Sequence, residues 1–92
     1  MTIFAQMAEK IIAEQETIIG PIALEQARKV QGLKIDWQKH EVNIDGNEIE
    51  VIEKLVEQYQ KLFGQASVEA CKEAVTSILS QIPKDQIPAL LR

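Results

Sequence analysis

The chain carries the same pattern twice, with Gly20 and Gly64 set 44 positions apart. Ile18-Ile19-Gly20-Pro21-Ile22-Ala23-Leu24-Glu25 aligns with Leu62-Phe63-Gly64-Gln65-Ala66-Ser67-Val68-Glu69, and Glu9-Lys10-Ile11-Ile12 aligns with Glu53-Lys54-Leu55-Val56. Four aligned positions are identical: Glu9/Glu53, Lys10/Lys54, Gly20/Gly64 and Glu25/Glu69. Each copy reads as an amphipathic helix, a glycine corner and a second amphipathic helix. One apolar face per helix cannot be hidden within a single hairpin. Two hairpins are therefore expected to pack on each other as an all-α, four-helix arrangement.

Ninety-two residues make one domain with a thin core. Hairpin one is expected over about 2–32, a linker with a short extended segment over about 33–47, hairpin two over about 48–82, and a tail over 83–92. In the first helix Phe4, Met7, Ala8, Ile11, Ile12, Gln15, Ile18 and Ile19 recur at spacings of three and four. All but Gln15 are apolar. The helix begins near Thr2 and stops at Gly20, where Pro21 suits the first turn of the next. Ile22, Ala23, Leu24, Ala27 and Val30 extend the second helix toward Gly32, with Glu25 and Lys29 spaced as a helical ion pair.

Val42 and Ile44 alternate with Glu41, Asn43 and Asp45, as in an extended segment. Asp45-Gly46 is a turn signal that permits two readings. One is a small hairpin pairing 41–45 with 47–51. The other, preferred, is direct entry into a helix with Asp45 or Asn47 as N-cap, because Asn47 and Glu50 resemble a capping box and helical period runs from Ile49 to Phe63. Ser67 is the expected N-cap of the fourth helix, with Ala70, Cys71, Ala74, Val75, Ile78 and Leu79 inward and Pro83 closing it. Pro88 is expected to open a last turn that packs Leu90 or Leu91.

Residue chemistry argues against catalysis and against bound cofactors. His40 is the sole histidine and Cys71 the sole cysteine, whereas a transition-metal site draws on several of each. Cys71 lies on an apolar stripe, the setting of an inert thiol, and with no second cysteine a reducing cytoplasm fits. Around Asn43, Asp45, Gly46 and Asn47 a calcium loop would need a carboxylate where Ile52 stands, so calcium is not expected. Gly20-Pro21 is followed by Ile22, Ala23 and Leu24, which suits a tight corner better than an anion cradle. Ser67, Ser77 and Ser80 have no nucleophile context. Glu50, Glu53 and Glu57 read as the wet side of a helix, with Glu50–Lys54 and Glu57–Lys61 as ion pairs. The start lacks the order of a secretory signal, and no apolar run approaches a membrane span.

Arg28, Lys29, Lys34, Lys39 and His40 cluster just before Glu41, Asp45, Glu48, Glu50, Glu53 and Glu57. The two runs either satisfy each other or rim a partner site anchored by Trp37. The only tryptophan sits in the linker, either as a lid over the core or as an interface hot spot. A pI near 4.9 opposes non-specific nucleic-acid binding, which leaves Arg28, Lys29, Lys34 and Lys39 as a weak site at best.

The string Ile19-Gly20-Pro21-Ile22-Ala23, set between two amphipathic helices, resembles the "IGPIA" signature of small helical domains in bacterial, chiefly cyanobacterial, signalling proteins. The resemblance spans roughly residues 8–31. It implies a regulatory interaction module without catalysis, and carries over no site residues. The expectation is thus a cytoplasmic, non-catalytic module that binds a protein or itself. Phe4, Met7, Ile18, Phe63 and Leu91 would favour a homodimer if one core cannot hide them. The competing readings are an apolar-ligand pocket between the hairpins and nucleic-acid binding through the 28–40 cluster.

Overall fold

A computed structural model of the chain describes residues 2–92. Four helices run over Ile3–Ile19 (α1), Ile22–Ala27 (α2), Glu48–Phe63 (α3) and Gln65–Leu79 (α4), and single 3-10 turns cover Lys84–Gln86 and Ala89–Leu91. Thr2 caps α1, its Oγ1 accepting from the Ala5 amide at 3.1 Å, and Asn47 caps α3 by accepting from the Glu50 amide at 3.0 Å. Thr2 Oγ1 also donates to Glu48 Oε2 at 2.8 Å, tying together the starts of α1 and α3.

The linker corrects the all-α expectation. Leu33–Asp36 (β1) and Glu41–Ile44 (β2) form an antiparallel pair, with Leu33 opposite Ile44 and Ile35 opposite Val42. The strand at 41–44 is the extended segment read from its alternation, but its partner is 33–36 and not 47–51. The true turn is Trp37–His40, where His40 takes φ of 50° and its amide donates to the Trp37 carbonyl at 3.1 Å. Asp45-Gly46 is instead the joint between β2 and α3. Leu33 and Val42 are buried, Ile35 and Ile44 half-buried, and β2 lies against α1. Lys34, Asp36, Glu41 and Asn43 face outward and are exposed.

Several finer expectations shift for local reasons. α2 stops at Ala27, because the chain must turn away to enter β1. Lys29 therefore lies outside the helix, and no Glu25–Lys29 ion pair forms among the described residues. α4 starts at Gln65 directly after Gly64, so Ser67 is no cap but a buried hydroxyl inside the first turn. Glu53 is half-buried and accepts from the Leu90 amide at 3.2 Å, holding the tail to α3, and Leu91 is buried. Glu50–Lys54 forms at 3.7 Å, whereas Glu57–Lys61 does not appear among the ion pairs of the described residues.

The two copies are alike in space as well as in sequence. Gly20 has φ 75° and ψ −155°, and Gly64 has φ 75° and ψ −163°. Each corner amide donates to the carbonyl four residues earlier, Glu16 or Gln60, at 2.8 Å. This backbone region is closed to L side chains, so glycine is required at both corners. The hairpins also exchange equivalent hydrogen bonds. Gln15 Nε2 donates to the Ser67 carbonyl at 3.0 Å, and Tyr59 Oη donates to the Ala23 carbonyl at 2.7 Å. Adding 44 to 15 and to 23 gives 59 and 67, so each bond is the image of the other. The hairpins are thus related by an approximate two-fold around the corners, with α1 on α4 corresponding to a smaller contact of α3 on α2, since α2 has 6 residues and α4 has 15.

The core follows the same rule. Met7, Ala8, Ile11 and Ile12 match Val51, Ile52, Leu55 and Val56, and all eight are buried. Each large aliphatic among them contributes about 1.5–3 kcal/mol on leaving water. Phe4, Met7 and Leu91 prove to be buried, so the core hides three of the five residues that were expected to strain it. Ile18 and Phe63 stay outside.

Candidate functional site

Four large apolar side chains are exposed among the described residues: Ile18 (58%), Leu62 (49%), Phe63 (39%) and Ile22 (38%). All four lie within two residues of Gly20 or Gly64. The amphipathic stripes read from sequence place Ile18, Ile22, Leu62 and Phe63 inward. They stand instead at the helix ends beside the two glycine corners, in the last turns of α1 and α3 and the first of α2, and remain exposed. Both corners share one end of the bundle, since Ile18 and Ile19 of α1 line a single groove of about 160 Å³ with Phe63, Ala66 and Ser67. Gln15 forms its floor, buried and held by Ser67 from two directions: its Nε2 donates to the Ser67 carbonyl, and its Oε1 accepts from Ser67 Oγ at 3.2 Å.

This end also lacks charge. Residues 17–24 and 62–68 contain no Asp, Glu, Lys or Arg, in a chain that is 26% charged. An apolar surface free of charge at its centre is the character of an interface core. Sequence reasoning named Ile18 and Phe63 among residues one core cannot hide, but missed Ile22, Leu62 and their gathering at one end, because periodicity reports which side of a helix is apolar and not where along its length the cover ends. The two uncharged runs were the signal that could have found it.

The structure scatters the residues singled out for binding. Trp37 and Arg28 meet in one open groove of about 590 Å³ with Leu24, Ile35, Asp36 and Gln38. Trp37 is half-buried against the core, donates from Nε1 to Glu16 Oε2 at 3.2 Å, and stacks on His40 with ring centroids 4.2 Å apart. His40 Nδ1 stands 3.7 Å from Glu9 Oε1, so the linker turn is fastened to α1 rather than to the acidic start of α3. Arg28 donates to the Ile35 carbonyl at 3.5 Å. Lys29 lies elsewhere, in a groove with Lys54, Glu57 and Lys61. Lys34 stands on the outer face of β1 and Lys39 in the exposed turn. Of the basic cluster of the sequence, Arg28 and Lys29 therefore line different grooves.

The groups with chemical potential are held quiet. Cys71 is buried, and that burial pushes its thiol up to about 11, with a hydrogen bond from Gln15 offsetting part of the rise. A protonated, buried thiol is a poor nucleophile. Burial, with smaller contributions from Cys71 and Glu16, raises the Tyr59 phenol well above its ordinary range, so it stays protonated and donates to Ala23. No group of three or more His, Cys, Asp or Glu among the described residues is placed to hold a metal ion. Every buried side-chain nitrogen or oxygen among them has a hydrogen-bond partner. Among the described residues no helix is long and apolar enough to cross a membrane. Comparison with family models, with curated proteins and with solved structures finds no match to this chain.

Proposed function

We propose that this protein is a non-catalytic helical module that works by binding protein through its corner end. The gathering of Ile18, Ile22, Leu62 and Phe63 around Gly20 and Gly64 carries this reading. Exposed apolar surface costs solubility, and clustered patches of this kind mark interaction sites. A regulatory setting in the cytoplasm accords with the IGPIA-like string, whose Ile19, Gly20, Pro21 and Ile22 form one of the two corners. The apolar-ligand reading has less support, because Met7, Ile11, Ile52, Leu55 and Val75 fill the core between the hairpins, and the groove left at the corner end, about 160 Å³, is smaller than small-molecule sites usually are. Nucleic-acid binding has less support still, since the chain carries a net charge of −4 and Arg28 and Lys29 line different grooves.

Site-specific photo-cross-linking tests the proposal. A benzophenone side chain placed at Ile18 is expected to capture protein, whereas one placed at Lys34 on the sheet's outer face is not. Equal capture at both positions, or none at either, refutes the reading.

A further inference from the structure

The corner end carries its own indication of what covers it, provided that it is an interface as proposed above. Its side chains come in pairs related by the repeat: Ile18 with Leu62, Ile19 with Phe63, and Ile22 with Ala66. The approximate two-fold that exchanges Gln15–Ser67 with Tyr59–Ala23 relates these positions too, so the surface has two corresponding halves, with Ile18 matched by Leu62 and the half-buried Ile19 by the exposed Phe63. A single asymmetric segment would engage one half and leave the other wet. An isologous contact between two copies brings two corresponding halves to each side and covers both.

Charge points the same way. Copies with net charge −4 repel where their ordinary surfaces meet, but residues 17–24 and 62–68 bring no charge into contact. Area sets the strength. The four exposed side chains leave roughly 400 Å² of apolar surface, within the range of the largest patch on a free monomer, which is often a functional one. Two such surfaces bury about 800 Å² of apolar side chain, which places the contact among weak, transient interfaces. The groove between Ile18, Ile19, Phe63 and Ala66, about 160 Å³, has room for an aliphatic side chain from across the contact.

We infer that a second copy of this chain docks end to end on the corner surface, forming a two-fold dimer of modest affinity. Sedimentation equilibrium of the intact chain tests this. The average mass is expected to rise from 10.4 kDa toward twice that value, with a dissociation constant on the order of 10–100 μM. Ile18→Glu and Leu62→Glu each place a charge in the contact and are expected to weaken the dimer at least about tenfold. Lys34→Glu, on the outer sheet face, leaves it unchanged. Circular dichroism of each variant confirms the fold, which both exposed positions should preserve.

A chain that remains monomeric at about 1 mM overturns the inference, as does a dimer that survives both glutamates. The benzophenone at Ile18 supplies a measurement that needs no glutamate variant. A product of twice the chain mass supports the second copy. Capture of a different protein with no self-product overturns the dimer but leaves the interaction module standing, and no product of any kind ends both.

Discussion

Tyr59→Phe is the sharpest test of how the hairpins are joined. The substitution keeps the ring and its packing and deletes one oxygen. That oxygen donates to the Ala23 carbonyl at 2.7 Å in a site closed to water. A neutral hydrogen bond contributes about 1 kcal/mol net, and leaving a buried acceptor short costs about 1–3 kcal/mol. The expected loss is therefore about 1–2 kcal/mol. For a domain of this size it lowers the melting temperature by about 5–15 °C. Its image, Gln15→Met, keeps side-chain length, strands the Ser67 hydroxyl and removes the side-chain donor of the Ser67 carbonyl, so it is expected to cost about 2 kcal/mol or more. Urea titration followed by Trp37 fluorescence and by far-ultraviolet circular dichroism measures both, with a shifted midpoint and unchanged slope. A loss below about 0.3 kcal/mol in both variants would show that these bonds do not hold the hairpins together.

Two further outcomes follow from the same geometry. Gly20→Ala and Gly64→Ala each force an L side chain into a positive-φ corner, yet no atom lies within 4 Å of the added Cβ. Each is expected to cost about 1–3 kcal/mol from the backbone alone, and the matching dihedrals make the two losses similar. A neutral alanine at either corner, seen by thermal melting, would contradict the backbone argument, and clearly unequal losses would contradict the two-fold relation. The second outcome concerns alkaline pH. Folding raises the Cys71 thiol from its ordinary 9.0 to about 11, so above pH 9 the folded state retains a proton that the unfolded state releases. The thiol's contribution is complete below that pH and declines through the folded value. Between about pH 8 and pH 10 the loss is about 1 kcal/mol, and Cys71→Ala is expected to remove that part of the slope in urea midpoints. Wild type and variant falling in parallel would refute it.

Much of the architecture was legible along the chain because helical period, caps and glycine stops are local physics. The bounds of α1 and α3 follow from Thr2, Asn47, Gly20 and Gly64, whose roles depend on a few neighbouring residues. The β-hairpin was half legible. Leu33–Asp36 alternates as clearly as Glu41–Ile44, but its turn, Trp37–His40, has no glycine, and the stronger turn signal at Asp45-Gly46 marks a different joint. Gln15 was visible as the polar break in an apolar stripe. Its purpose was not, because its partners Ser67 and Cys71 lie more than fifty residues away.

The sequence by itself determined four helices, two glycine corners and a repeat of 44, since each is written in spacings that a short stretch of backbone can read. Only the tertiary structure decided that the repeat is a two-fold in space, with Tyr59 and Gln15 reaching reciprocally between hairpins. It alone decided that Ile18, Leu62, Phe63 and Ile22 remain exposed. Periodicity fixes the direction in which a side chain leaves its helix. Whether anything waits there depends on where the other helices stop.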